Sequence, residues 1–327
     1  MKKTAFIFAL WLFNAICFAQ ESASVFNFLK LPASAHITAL GGKSISLIED
    51  DASFIFQNPA LASSVSDKTL NLNFLTFMQG SKNGSAAFVK TAGEASTWGI
   101  GAQFASYGSL KETTPSGEVV GEFSAIDLAL SGTYSYLLSE RWAGGVTAKM
   151  IYSGYGDYTA LALAVDLGLN YYNPDNEFSC SFVAAHAGGQ VKSFADTRER
   201  LPFDLVAGFS KKMLHAPIRI TVTMNDLTRW NNKYYFNPEG KSKFGTILMN
   251  HFSLGVDLLA SDNIYLSAGY NFRRANEMAI AGKSHGAGLS AGAGLILSRF
   301  KLSLAYAQYH VSTPSFSISL NYSLYNK

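Results

Sequence analysis

This chain lacks a long hydrophobic run. Past residue 19 no stretch stays apolar for the roughly 18 residues that a membrane-crossing helix needs, so helical spans are excluded there. Charge is scarce too. Asp, Glu, Lys and Arg make up 15% of the 327 residues, against about a quarter in soluble domains, which leaves little for an ordinary solvated surface. Neither sign dominates, with 26 basic and 23 acidic residues, so there is no electrostatic case for nucleic acid. Two cysteines, Cys17 and Cys180, are too few for a disulfide framework. The histidines, His36, His186, His215, His251, His285 and His310, form no His-Glu-Xaa-Xaa-His and no close ligand pair, so no metal site is expected. No Gly-Xaa-Ser-Xaa-Gly elbow is expected, Ser and His occur at no diagnostic spacing, and no Cys/His pair has supporting context. No enzyme activity and no cofactor are expected.

What is present begins at the N-terminus. Lys2 and Lys3 precede the apolar run Ala5 to Ile16, and Cys17-Phe18-Ala19 supplies the residues at −3 and −1 of a cleavage site. This is the pattern of an export signal over residues 1–19. Its loss would remove two lysines and leave the chain within about one charge of neutral. The bulky Ile16 disfavours a lipoprotein reading of Cys17. With Cys17 removed, Cys180 has no internal partner, although an exported chain could form disulfides.

From about Thr69 onward, large apolar residues alternate with small or polar ones. Between Thr159 and Tyr171, Leu161, Leu163, Val165, Leu167, Leu169 and Tyr171 share one face, and Ala160, Ala162, Ala164, Asp166, Gly168 and Asn170 share the other. A strand's period of two produces this segregation. Fourteen strand candidates begin near Thr69, Gly84, Ser96, Glu122, Arg141, Tyr158, Glu177, Pro202, Pro217, Asn250, Asn263, His285, Phe300 and Ser315. Every second gap is tight, as at Ala92 to Ala95 or Ala260 to Asp262. The gaps between them include Ser106 to Gly121, Ala187 to Leu201, Asp226 to Met249 and Arg273 to Ser284. Short turns on one rim and longer loops on the other predict an all-β, up-and-down transmembrane antiparallel barrel of about 14 strands in an outer membrane. The charges Lys149, Asp166, Asp204, Arg219 and Asp257 never fall on the large-apolar face, so they are expected to point inward. Trp142, Tyr152, Tyr171, Tyr172, Tyr265 and Tyr309 lie near strand ends and are read as aromatic girdles. The lumen faces are mostly Ser, Thr, Ala, Gly and Asn, giving little sign of an apolar conduit.

Residues 20–67 differ. They carry Leu31-Pro32, Gly41-Gly42, Asp50-Asp51 and Asn58-Pro59-Ala60 without long alternation, and read as a compact, turn-rich hatch before a barrel over residues 68–327. Asp50-Asp51 suits an N-cap before Ala52 to Phe56, or a pairing with a cation. Asn58-Pro59 suits a stiff turn. The glycines from Gly286 to Gly294 resemble a phosphate loop only loosely and are read as lumen-facing strand residues. Within Asp226 to Met249, the residues Arg229, Trp230, Tyr234, Tyr235 and Phe236 mix aromatics with charge. They can form a partner-docking surface, fold over the mouth as a lid, or place the nearby lysines against lipopolysaccharide phosphates.

The pieces Asn27 to Ala35, Ala39-Leu40-Gly41-Gly42, Glu49-Asp50-Asp51 and Gln57-Asn58-Pro59-Ala60-Leu61 resemble the PorV/PorQ group of type IX secretion barrels, in spacing most like its PorQ members. That group is similar to FadL-type long-chain fatty acid channels, which share an Asn-Pro-Ala motif in an N-terminal hatch. The resemblance implies a non-enzymatic outer-membrane protein of the Bacteroidota kind. It would anchor a PorZ-like surface protein beside PorU and PorV while cargo is joined to lipopolysaccharide. Pro32, Gly41, Gly42, Asp50, Asp51, Asn58 and Pro59 would be structural hatch residues. The alternative is a FadL-like channel for hydrophobic small molecules.

Overall fold

The computed structural model describes residues 24–77, 80–194, 198–231, 234–235, 243–278, 286–310 and 313–324. The expected export signal, with Cys17, and Phe236 lie outside them. Fourteen strands run β1 (Thr69–Thr76), β2 (Lys82–Ala92), β3 (Ser96–Thr113), β4 (Val119–Leu137), β5 (Trp142–Tyr155), β6 (Tyr158–Asn173) and β7 (Phe178–Lys192), then β8 (Asp204–Lys212), β9 (Ile218–Met224), β10 (Phe252–Leu259), β11 (Ile264–Asn271), β12 (Leu289–Leu297), β13 (Phe300–Ala307) and β14 (Ser315–Ser323). Each pairs antiparallel with its chain neighbours, and β1 closes on β14 in register from Thr69↔Ser323 to Leu75↔Ser317. The result is the expected closed antiparallel barrel. Closure gives every strand two partners, so the wall has no unpaired edge to expose to hydrocarbon.

The alternation sorts the wall as expected. On β14, Phe316, Ile318 and Leu320 are exposed on the outside, while Ser317, Ser319 and Asn321 are buried inside. All five charges expected in the lumen turn inward and find ion pairs there: Lys149 with Asp166 at 2.5 Å, Asp204 with Lys43 at 2.5 Å, and Arg219 with Asp257 at 2.8 Å. Outward aromatic pairs ring the tight-turn rim: Trp98 with Tyr134, Trp142 with Tyr171, Phe178 with Phe209, and Phe300 with Tyr322.

Three girdle expectations fail. Tyr172 shares the inward face of Asn170 on β6, and its hydroxyl donates to Glu177 at 3.2 Å. Tyr265 is only 3% exposed, because it faces the lumen, where its hydroxyl meets Ser303 and its ring lies 4.3 Å from that of His36. Tyr309 is 4% exposed, tucked beneath the mouth between Phe77 and the Arg274 guanidinium. A tyrosine near a strand end fits a girdle only if its parity turns it outward, and Tyr265 has the wrong parity. Two expected loops are also partly strand. β3 and β4 continue past the Ser106 position to Thr113 and from Val119, because Leu110 opposes Phe123 and Lys111 opposes Glu122, so cross-strand pairing persists beyond a bulge. β7 runs on to Lys192 through two register shifts against β6. Conversely, β12 begins only at Leu289, so Gly286 and Gly288 lie before it with positive φ.

The lipid-facing register makes a prediction. Ile318→Arg should cost about 2–4 kcal/mol, because it carries a cation to the middle of the apolar belt. Urea titration of folding into lipid vesicles measures this, with Ser317→Thr, on the inner face, expected to change little.

Candidate functional site

The hatch threads the lumen, and the wall is indented to receive it. Gly145 on β5 and Gly168 on β6 are direct cross-strand partners. A side chain at Gly145 would strike the backbone of Pro59 and Ala60, and one at Gly168 would strike the Asn58 side chain and the Pro59 ring. The absent Cβ atoms thus make a dent that seats Asn58-Pro59. There Asn58 accepts a hydrogen bond from Ala60 N at 3.0 Å and donates to the Ile45 carbonyl at 2.9 Å, which caps the turn Pro59–Ser64. Across the barrel Gly255 and Gly269 are also partners, on β10 and β11, and they receive Leu40 and the Gly41 backbone. Gly41 and Gly42 reverse the chain there with φ of 92° and 86°, which glycine adopts without strain. Pro32 lies buried at the wall beside Asn83 and Ser85.

Ser290 clamps the same turn. Its hydroxyl donates to the Ala39 carbonyl at 2.8 Å and accepts from Gly41 N at 3.1 Å. It sits in Gly288-Leu289-Ser290-Ala291-Gly292, the Gly-Xaa-Ser-Xaa-Gly spacing of a nucleophile elbow, which the reading of the sequence overlooked. Here the serine lies in a strand and its hydroxyl is engaged by the hatch backbone, so the elbow context is missing.

A charge network pins the middle of the hatch. Glu49 pairs with Arg219 of β9 at 2.5 Å, with Lys301 of β13, and with His36 Nδ1 at 3.0 Å. His36 Nε2 faces Asp257 of β10 at 2.9 Å, and Asp257 also accepts from Arg219 Nε at 2.8 Å. Asp51 caps the turn Ala52–Phe56 through Ser53 N at 3.0 Å, accepts from Asn71 at 2.9 Å, and lies 3.6 Å from Lys301. Both roles considered for the aspartate pair thus meet in Asp51. Asp50 accepts from Ser66 N at 2.8 Å. With both ring nitrogens of His36 against carboxylates, its protonated form balances the charges of Glu49, Asp51 and Asp257 against Arg219 and Lys301. Burial alone would lower the His36 pKa, but Glu49 and Asp257 raise it above its ordinary value. Burial would likewise raise Glu49, but His36, Lys301 and Arg219 hold it well below the usual range. The sequence marked Arg219 and Asp257 by parity. Glu49 stood out only as part of the piece Glu49-Asp50-Asp51, with no partner indicated, and His36 lies outside any periodic segment and carried no signal.

The loop residues singled out in the sequence divide. Arg229, Tyr234 and Tyr235 fold over the mouth. Arg229 and Arg273 stack on the Tyr234 ring at 4.4 and 4.6 Å, both arginines pair with Asp226, and the Tyr235 hydroxyl donates to the Arg229 carbonyl at 2.9 Å. Trp230 remains 42% exposed beside Phe244, while its indole N–H donates to the Leu227 carbonyl at 2.6 Å.

Beneath the mouth lies an apolar niche of the wall, occupied by the chain's own side chains. Its wall is an alanine panel, Ala105, Ala129, Ala160, Ala162 and Ala164, with Ile151, Tyr107, Phe194 and Leu201. This corrects the reading of the lumen as short of apolar surface, because inward alanines that count as small residues one by one add up to an apolar face. The pocket is filled by the chain's own Phe26, Phe28 and Leu29. That segment is lightly held. Among the described residues its only backbone bond to the loops or wall over Val25–Lys30 is Val25 N to the Arg200 carbonyl at 3.2 Å, and Phe26 sits at φ 60°, strained for a residue with a side chain. Beside the pocket, the bulge in β7 turns His186 inward at φ 57° toward Lys149 and Asp166. The wall from β2 to β3 keeps an unbroken register over Lys82 to Ala92.

Two measurements probe the pinned hatch. Gly168→Leu should unseat Asn58 and expose the hatch to protease while the barrel still migrates as a folded, heat-modifiable band. The His36 contribution should be fully present below its ordinary value of 6.5 and fade as pH rises through the higher folded value. The Glu49 contribution runs the other way: it is present above the ordinary 4.5 and lost as pH falls through the lowered folded value. Protease protection of the hatch is therefore expected to weaken at alkaline pH, and His36→Gln should flatten that dependence.

Comparison with known proteins finds likeness in fold. No family model matches the chain, and no curated protein does. Among solved structures it is similar to the CymD monoaromatic hydrocarbon channel, at 14% identity over 93% of this chain and 100% of that one, with a TM-score of 0.58. It is similar to the Ralstonia pickettii toluene transporter TbuX, at 13% identity over 92% and 100%, with a TM-score of 0.58. It is also similar to a Pseudomonas aeruginosa FadL homologue, at 12% identity over 89% and 98%, with a TM-score of 0.56. The chain has the fold of FadL-like outer-membrane channels.

Proposed function

We propose that this protein is an outer-membrane barrel of FadL-like build that admits small apolar molecules to a pocket beneath its outer mouth. In this reading residues 1–19 are an export signal, 20–67 a hatch and 68–327 the barrel. One observation carries it: an alanine-walled apolar pocket beneath the mouth, filled by a piece of the chain itself that carries a strained Phe26 and one backbone bond to the loops. An incoming apolar molecule would take the place of Phe26 and Phe28, regaining the same burial at about 25 cal/mol per Å2. The neighbouring structures described as a hydrocarbon channel and a toluene transporter share this fold and support a ligand of that character.

A second reading is a partner-holding barrel of the PorV/PorQ kind, non-enzymatic, serving a PorZ-like surface protein with PorU and PorV. The hatch favours it, since the pinned stretch from Ala33 to Ser66 blocks through-passage unless it moves. Naphthalene binding to the full-length protein in amphipol, followed by its own fluorescence, separates the readings. Binding is expected, and Ala162→Phe, which fills the pocket, should weaken it at least about tenfold. Absent binding, together with a surface protein that co-purifies and is lost on joint Trp230→Ala and Phe244→Ala substitution, would establish the second reading.

A further inference from the structure

We infer that the pocket selects apolar molecules whose head donates a hydrogen bond and carries no negative charge, and that Asp127 is the residue that sets this preference. The inference rests on the pocket being a ligand site. Asp127 lies on β4, 1% exposed, opposite Ala105 on one side and Ser153 on the other. Its carboxylate accepts from the Tyr107 hydroxyl at 2.7 Å, from the Ser153 hydroxyl, and from the Tyr155 hydroxyl, which is shared between both oxygens at 3.1 and 3.2 Å. The rings carrying these hydroxyls belong to the pocket. Tyr107 meets Tyr155 edge-on at 6.2 Å, Tyr155 stacks on Phe194 at 5.0 Å, and Phe194 faces Phe26 at 6.4 Å.

Among the described residues no Lys, Arg or His forms an ion pair with Asp127. Lys149, below Ile151 on β5, is committed to Asp166 at 2.5 Å, and Lys30, at the end of the filling segment, reaches Asp226 at 3.7 Å. A carboxylate has about four acceptor positions, and three hydroxyl donors leave about one for a ligand. Those hydroxyl hydrogens are spent on Asp127. A carboxylate-headed ligand would therefore meet a like charge and find no free donor, in surroundings too dry to screen it. An alcohol can donate to the remaining position. An alkylammonium head can do the same and also lie against the tyrosine faces.

The test is titration of the full-length protein in amphipol with dodecylamine, 1-dodecanol and laurate, read by calorimetry near pH about 7.5. The amine and the alcohol are expected to bind, with laurate at least about tenfold weaker. Asp127→Asn, checked for its heat-modifiable band, should narrow the gap between alcohol and laurate to within about threefold. The comparison on unaltered protein stands even if that variant does not fold. Laurate binding as tightly as dodecanol, or a gap that survives in a folded Asp127→Asn, would overturn the inference while leaving the pocket intact. If none of the three ligands binds and naphthalene does not either, the pocket reading itself fails.

Discussion

The hydrogen-bond ladder between β1 and β14 governs everything else in this molecule. Inside a bilayer an unpaired amide finds no water, at a cost of several kcal/mol, so the sheet must meet itself. Once Thr69 is opposite Ser323, parity decides the facing of each residue around the ring. A slip of one residue on β1 would turn Leu70, Leu72 and Phe74 into the lumen and set Asn71 and Asn73 against lipid. The hatch contacts depend on that register, because Asn71 bonds Asp51, and Ser319, which donates to Asn73 across the seam, accepts from Ala35 N of the hatch.

Closing fourteen strands creates a second constraint. A barrel of about eight strands can fill its interior with wall side chains, but one of fourteen cannot. The hatch meets that need, and paired wall glycines let it approach backbone to backbone. Charge enters as a consequence. A lumen that avoids bulky apolar residues contains polar ones, and those buried beside the hatch must be matched. Glu49, Asp51 and His36 from the hatch are matched by Arg219, Asp257 and Lys301 from three different strands. Removing one partner of such a network leaves a buried charge uncompensated, typically a loss of about 3–5 kcal/mol.

Much of this was legible in the amino-acid order. Alternation located the fourteen strands, with starting points at Thr69, Ser96, Tyr158, Phe300 and Ser315 that the structure reproduces, because a period of two is a direct imprint of one wet and one greasy face. It also sent Lys149, Asp166, Asp204, Arg219 and Asp257 inward. Asn58-Pro59 and Asp51 announced their turns by local chemistry. What stayed hidden needed the third dimension. Five alanines on three strands, with Ile151 on a fourth, become an apolar wall only when β3 to β6 stand side by side. Tyr265 and Tyr309 looked like girdle residues because composition near a strand end ignores which way the ring turns. The partners Glu49 and Lys301 are 252 residues apart, and no local pattern links them.

The hatch contains two regimes, and their contrast bears on function. From Ala33 to Ser66 it is held by glycine dents, caps and a balanced ion network, so moving it means breaking several buried contacts together. From Val25 to Lys30, among the described residues, it is held by one backbone bond, by the Lys30–Asp226 ion pair and by burial of Phe26, Phe28 and Leu29, against a left-handed Phe26 whose strain is worth about 1–3 kcal/mol. In the proposed reading, a molecule arriving at the mouth would meet the lightly held segment first and the pinned one second. Displacing the first exchanges one apolar surface for another and is nearly balanced. Displacing the second separates charges in a dry lumen and is not. Entry to the pocket and passage through the barrel are thus different events with different barriers. The channel reading requires the first of them, and the scaffold reading requires neither.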